Sequence, residues 1–191
     1  MREGDQLKFH IVLFQPMIPQ NTGSVARLCA CTGAVLHLIH PLGFRTDEAS
    51  VKRAGLDYWS HVEVHEHESW EKFQAAYPDG PYFFFSKFSG KSYFQTEIPP
   101  GAFLIFGSET SGLPESLHQT FRERFFQIPM RTHVVRSLNL AQSAAIVLYE
   151  GLRQADFAGD GVPLTPNPEP PKVFPHTEAR PIPPGGPRSF H

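Results

Sequence analysis

FHIVLFQPMIPQNTGSVARLCACTGAVLHLIH, residues 9–40, decides the fold. Two apolar runs, 9–14 and 35–40, flank a segment in which Val25, Leu28, Cys29 and Thr32 recur at the i, i+3, i+4, i+7 spacing of one helix face. Gly33 ends that helix, and Asn21, after the turn-rich PMIPQN, is expected to cap its start. The alternation continues through further strands at VEVHE (62–66), PYFFFS (81–86), AFLIFG (102–107) and FFQIPM (125–130). Several of these are apolar throughout, as in strands covered on both faces. The chain is therefore expected to be an α/β protein with a mostly parallel sheet between helices.

Helices are expected around 47–55 and 68–77, and a last one over 138–157. That last helix places Ala141, Ala144, Ala145, Leu148 and Leu152 on one stripe, and Ile146 and Val147 carry its apolar surface further round. Such a helix needs cover on more than one side, as a second subunit would give. From about residue 158 the composition changes: 10 of the 19 prolines fall in this last stretch, which shows no helical or strand period. The chain thus reads as a short extension (1–8), one domain (9–157) and a proline-rich tail (158–191) that is extended or disordered.

The formal charge of −2 and pI near 6.5 exclude a chain coated in basic residues for indiscriminate nucleic-acid binding. Local basic pairs, such as Lys87 with Lys91 and Arg131 with Arg136, leave room for a patch. No apolar run is long enough to span a bilayer, and no secretory leader is evident, so a cytoplasmic protein without membrane contact is expected. Cys29 and Cys31 have neither disulfide-framework nor zinc spacing. His61, His65 and His67 lack a partner at metal-ligand spacing, and no metal is expected.

Three polar segments sit at strand ends, where α/β sheets place ligands. In QNTGSVAR (20–27), a helix start with Asn21 and Gly23 leaves backbone N–H groups for an anion, with Arg27 four residues beyond Gly23. In GSETSGLP (107–114), the glycine spacing approaches that of a P-loop, but Leu113 and Pro114 stand where lysine and Ser/Thr are required. A nucleoside triphosphate site is thereby disfavoured, as are GxGxxG and GxSxG sites, whose motifs are missing. What remains is a strand-end loop with one carboxylate, Glu109, able to accept hydrogen bonds or face a cation. In the third segment, IPMRTHVVRSLNLAQS (128–143), Ser137 or Asn139 can cap the final helix, and Arg136 adjoins them.

Together these segments resemble the three motifs of the SPOUT superfamily of RNA methyltransferases, nearest to the tRNA (cytidine(34)-2′-O)-methyltransferase group. The resemblance rests on residues 11–44, KRAGLDY (52–58), LIFGSETSGLP (104–114), and IPM with SLNL (128–130, 137–140). It implies a SPOUT α/β-knot fold with a C-terminal trefoil knot, a feature that periodicity cannot reveal. It further implies a homodimer that uses S-adenosylmethionine to methylate the ribose of the wobble nucleotide of tRNA, with no DNA partner.

Carried over by position, Phe85, Gly107, Glu109, Ile128, Met130, Ser137 and Leu138 are the expected donor-binding residues. Arg27, Ser137 and Asn139 are the expected catalytic ones, and Asn21, Arg27, Lys87 and Arg136 the expected RNA contacts. Gly107 is expected to allow a ligand's close approach, and Glu109 to hold the site or the donor's positive end. Ser108 replaces the family's usual proline and is expected to loosen its loop, while SLNLAQ replaces an SLNLSN-like ending. A related enzyme for another RNA position, or a non-catalytic RNA-binding module, would share much of this pattern.

Overall fold

The computed structural model describes residues 8–45, 59–131 and 134–155. Its first three elements are β1 (His10–Phe14), α1 (Pro19–Thr32) and β2 (Val35–Ile39), with the two strands parallel and in register from His10 opposite Val35 to Phe14 opposite Ile39. Gly33 closes α1 at φ 72°, in the left-handed region that glycine adopts without a Cβ penalty, and its N–H reaches the Cys29 carbonyl. The start of α1 differs from expectation. The helix begins at Pro19, whose missing N–H costs nothing there, and Ile18 occupies the cap position without a side-chain bond. Asn21 lies inside the helix, its amide engaged elsewhere.

There follow β3 (Val64–His67), α2 (Trp70–Ala76), β4 (Tyr82–Phe85), β5 (Phe103–Phe106), α3 (Glu115–Thr120), β6 (Phe125–Phe126) and α4 (Leu140–Gln154). β6 is only two residues long, against the six expected, because residues 128–130 leave the sheet. The expected helix at 47–55, the KRAGLDY segment and the proline-rich tail fall outside the described residues.

All strand pairs are parallel, in the order β3-β2-β1-β5-β4-β6. The chain moves outward from β1 to β3, then crosses to fill the other half, so the order reverses between β1 and β5. Ligands of open α/β sheets bind at such a reversal, beyond the carboxyl ends of the strands.

Both faces of the sheet are covered, as the unbroken apolar runs require. Ile11, Leu13, Leu36, Leu38 and Leu104 pack with Val25, Ala26 and Cys29 of α1 and with Ala144, Val147 and Leu148 of α4. Alternate residues Val12, Phe14, Ile39, Phe84 and Ile105 pack with Trp70 and Phe73 of α2 and Leu117 of α3. Each fully buried Leu, Ile or Phe contributes about 1.5–3 kcal/mol.

The seating of α4 depends on Gly151, where an added Cβ would lie 2.9 Å from the Phe9 ring. Gln154 fixes the helix end by accepting from Ile98 N (2.7 Å) and donating to the Thr96 carbonyl (3.1 Å). The buried stripe is Leu140, Ala144, Val147, Leu148 and Gly151, and it leaves Ile146 and Tyr149 exposed. Among the described residues, no helix is long and apolar enough to cross a membrane.

One polar group interrupts the second face. His37 on β2 is fully buried, with Nε2 2.9 Å from His10 Nδ1 and Nδ1 3.0 Å from His67 Nε2. The rings of His65 and His67 both stack on it. Burial, and then the neighbouring histidines, push the His37 pKa down to about 2, so its ring is neutral near pH 7, one nitrogen donating and the other accepting. Both nitrogens are thereby committed to other rings. Among the described residues, no group of three or more His, Cys, Asp or Glu side chains is arranged to hold a metal.

Candidate active site

The carboxyl ends of β1, β4, β5 and β6 open on one cavity of about 570 Å³. That volume suits a drug- or nucleoside-sized ligand. Apolar side chains of Phe85, Ile128 and Leu138 line it together with backbone and polar groups of 107–113 and with Ser137 and Asn139. The three polar segments read from the sequence thus converge, although Asn21 of the first lies 88 residues before Glu109 of the second.

Glu109 draws them together. Its Oε2 accepts from Met17 N (2.9 Å), and its Oε1 accepts from Ile18 N (3.3 Å) and from Asn21 Nδ2 (2.8 Å). Asn21 Oδ1 in turn accepts from Asn139 Nδ2 at 2.9 Å. Asn139 Oδ1 then caps α4 by accepting from Ala141 N (2.8 Å) and Gln142 N (3.4 Å). The chain Glu109–Asn21–Asn139 therefore runs from the β5 loop through α1 to the start of α4. Helix starts leave N–H groups without partners, which explains why Asn139 caps α4. Met17 and Ile18 N–H are met by the carboxylate of another loop instead. Glu109 thus ties the loop after β5 to the start of α1.

The 107–114 loop closes on itself. A Cβ on Gly107 would lie 2.3 Å from Gly112 C and 2.4 Å from Leu113 N, so the glycine is required for the close approach of its own loop. Ser108 gives that loop a paired contact: its N–H donates to the Gly112 carbonyl (3.2 Å), and Gly112 N returns a bond to the Ser108 carbonyl (2.9 Å). Proline at 108 has no N–H to donate. Gly112 completes the bend at φ 70°.

Of the residues singled out in the sequence, Asn21, Phe85, Lys87, Gly107, Glu109, Ile128, Met130, Ser137, Leu138 and Asn139 all line the cavity. Arg27 and Arg136 do not, and both are exposed. Arg27 lies six residues beyond Asn21, about 9 Å further along α1. The cavity also takes in Ile18 and Phe88, which sequence reasoning passed over. For Phe88 a signal was present: an aromatic between Lys87 and Lys91 in the Ser/Gly-rich segment SKFSGKS (86–92) that follows a strand.

The sequence profile of the SpoU rRNA Methylase family matches residues 8–149. The chain belongs to this family. A Bacillus subtilis relative is 50% identical over 151 residues, 78% of this chain and 94% of its own length. A Burkholderia ambifaria relative named tRNA (cytidine(34)-2′-O)-methyltransferase is 45% identical over 155 residues, 79% of this chain and 98% of its own. Among solved structures, one concerned with "the 2-OH methylation of C/U34 on tRNA" has 42% identity and a TM-score of 0.73, covering 80% of this chain and 99% of its own. In this SpoU family chain the matched region takes in every element that lines the cavity, through the first ten residues of α4.

Proposed function

We propose that this protein transfers a methyl group from S-adenosylmethionine to the ribose 2′-hydroxyl of the wobble nucleotide of tRNA, acting in the cytoplasm as a homodimer. The observation that carries the reading is the convergence of the three motif segments on one cavity at the sheet's order reversal, tied by Glu109, Asn21 and Asn139. Relatives at 45–50% identity that are named for this reaction support the substrate class.

The cavity fits the donor in size and in its mixture of apolar walls with backbone and hydroxyl groups. Phe85, Ile128, Met130 and Leu138 would pack its flat and aliphatic parts, while Ser137 and the 107–113 backbone would take its polar ones. When bound, the donor supplies an electrophilic methyl group. The protein's share is largely positioning, which can provide many kcal/mol of the barrier. Asn139 and Asn21 hold the walls in register, and Lys87 stands at the rim for a phosphate. The reading carries with it the trefoil knot that the resemblance implies.

Arg27 is assigned the 2′-hydroxyl. A guanidinium stays protonated near neutral pH, so its work is to orient the hydroxyl and stabilise the developing alkoxide, not to remove the proton. Because it does not line the cavity of its own chain, we assign it to the cavity of the second copy. An interface over the exposed Ile146 and Tyr149 of α4, which packs beside α1, would bring it there.

The deciding experiment is methyl transfer from labelled S-adenosylmethionine to bulk tRNA, with digestion to nucleosides and mapping of the product. Label in a 2′-O-methylated wobble nucleotide supports the reading. Label at another position reassigns the substrate, and tRNA binding without transfer replaces the enzyme by a binding module. In the same assay, Arg27→Ala is expected to abolish transfer while donor binding persists; unchanged turnover would remove Arg27 from the mechanism.

A further inference from the structure

Phe88 is 77% exposed, although a phenyl ring is normally a core residue. It lies in the turn that leaves β4, and this turn is pinned from several directions. Ser86 N donates to the Phe126 carbonyl (2.9 Å), Phe88 N donates to Ser86 Oγ (3.3 Å), and Ser89 Oγ donates to the Phe125 carbonyl (2.7 Å). The ring is thus held out by a fixed backbone at the mouth of the cavity. The Lys87 ammonium lies over one face of the ring, 5.0 Å from its centroid, so cation and ring form one unit whose opposite face is the one for a base to stack on.

That pairing has the chemistry of single-stranded RNA recognition, in which splayed-out bases stack on aromatic side chains and the phosphates between them meet cations. We propose that Phe88 is the stacking platform for an unstacked nucleobase at or beside the methylated nucleotide, with Lys87 on the adjoining phosphate. The inference rests on the RNA-methyltransferase reading above. It makes Phe88 a positioning residue, acting on RNA affinity and not on the donor. Phe94, 68% exposed but away from the cavity, is the natural control for exposure alone.

The test uses the full chain with an anticodon stem-loop RNA carrying 2-aminopurine at the target or next nucleotide. Phe88→Ala is expected to raise the Kd and KM for RNA about tenfold or more and to abolish the fluorescence quenching that stacking produces. Phe88→Trp should restore both, Phe94→Ala should change neither, and S-adenosylmethionine affinity should be the same in all. An unchanged RNA Kd in Phe88→Ala overturns the proposal. So does an equal loss of donor affinity, which would make the ring a cover for the donor. So does conversion to monomer, which would place it in a subunit contact.

Failure of the underlying reading looks different. A wild-type protein that binds the RNA without methylating it refutes the enzyme while the Phe88 comparison is still scored on binding and quenching. A wild-type protein that does not bind RNA refutes both.

Discussion

A carboxylate that accepts three hydrogen bonds from one neighbouring segment is a strap between loops. Glu109 holds Met17, Ile18 and Asn21 in this way, and hydrogen bonds to a charged group contribute about 1.5–3 kcal/mol each. Glu109→Ala removes all three acceptor contacts and frees the loop after β1 from the loop after β5. Donor affinity, read by calorimetry, is expected to fall about tenfold to a hundredfold. Glu109→Gln, which keeps one acceptor oxygen, should fall between; equal affinity in wild type and Glu109→Ala would show that the cavity walls hold without the strap. Gly107→Ala probes the same loop by crowding. Its Cβ would meet the Gly112–Leu113 backbone at 2.3–2.4 Å, and backbone cannot rotate away as a side chain can. A loss of about 2 kcal/mol or more in urea unfolding is expected, together with loss of donor binding.

At the scale of elements, the histidines that join β1, β2 and β3 give the sheet a pH dependence. His37 is neutral in the folded chain, its pKa pushed down to about 2 by burial first and by neighbouring histidines next. The same side chain in the unfolded chain takes up a proton near pH 6.5. Below that pH the unfolded state binds the extra proton, so stability falls by about 1.4 kcal/mol per pH unit for this group alone. His67, also lowered by burial, adds to the slope. In His37→Leu, the difference in unfolding free energy between about pH 7.5 and pH 5 should shrink by about 2 kcal/mol; an unchanged difference would assign the acid sensitivity elsewhere. This element was only half legible in the sequence. His65 and His67 could be placed on one strand face by their spacing, but His10 and His37 join them only through the strand pairing. Asn21 shows the same limit: a local reading made it a cap, and its real partners lie 88 and 118 residues away. Several strands were readable as apolar runs, β4 and β5 without a break and β1 and β2 with a single histidine each. The cavity was readable as three polar strand ends, whereas the pinning that exposes Phe88 depends on carbonyls of β6.

For the whole molecule, the proposed homodimer raises the question of which chain would supply Arg27 to which cavity. Closed symmetric dimers place equivalent residues at equivalent points, so an arginine acting across the interface serves one cavity per chain. Ile146→Glu with Tyr149→Glu should yield monomers by light scattering, with methyl transfer lost together with the dimer. Mixing decides the direction of action. One population carries Arg27→Ala with an intact cavity; the other carries Arg27 with a cavity disabled by Leu138→Arg, and each alone should be inactive. If Arg27 acts on the second copy, every mixed dimer has one complete site, formed from the intact cavity of one chain and the arginine of the other. Equal amounts of the two, refolded together, make half of the dimers mixed, so about a quarter of wild-type transfer should return. If Arg27 acts within its own chain, no mixed dimer has a complete site and transfer stays at the level of the inactive parents, which would return Arg27 to its own cavity and leave the dimer a purely structural role.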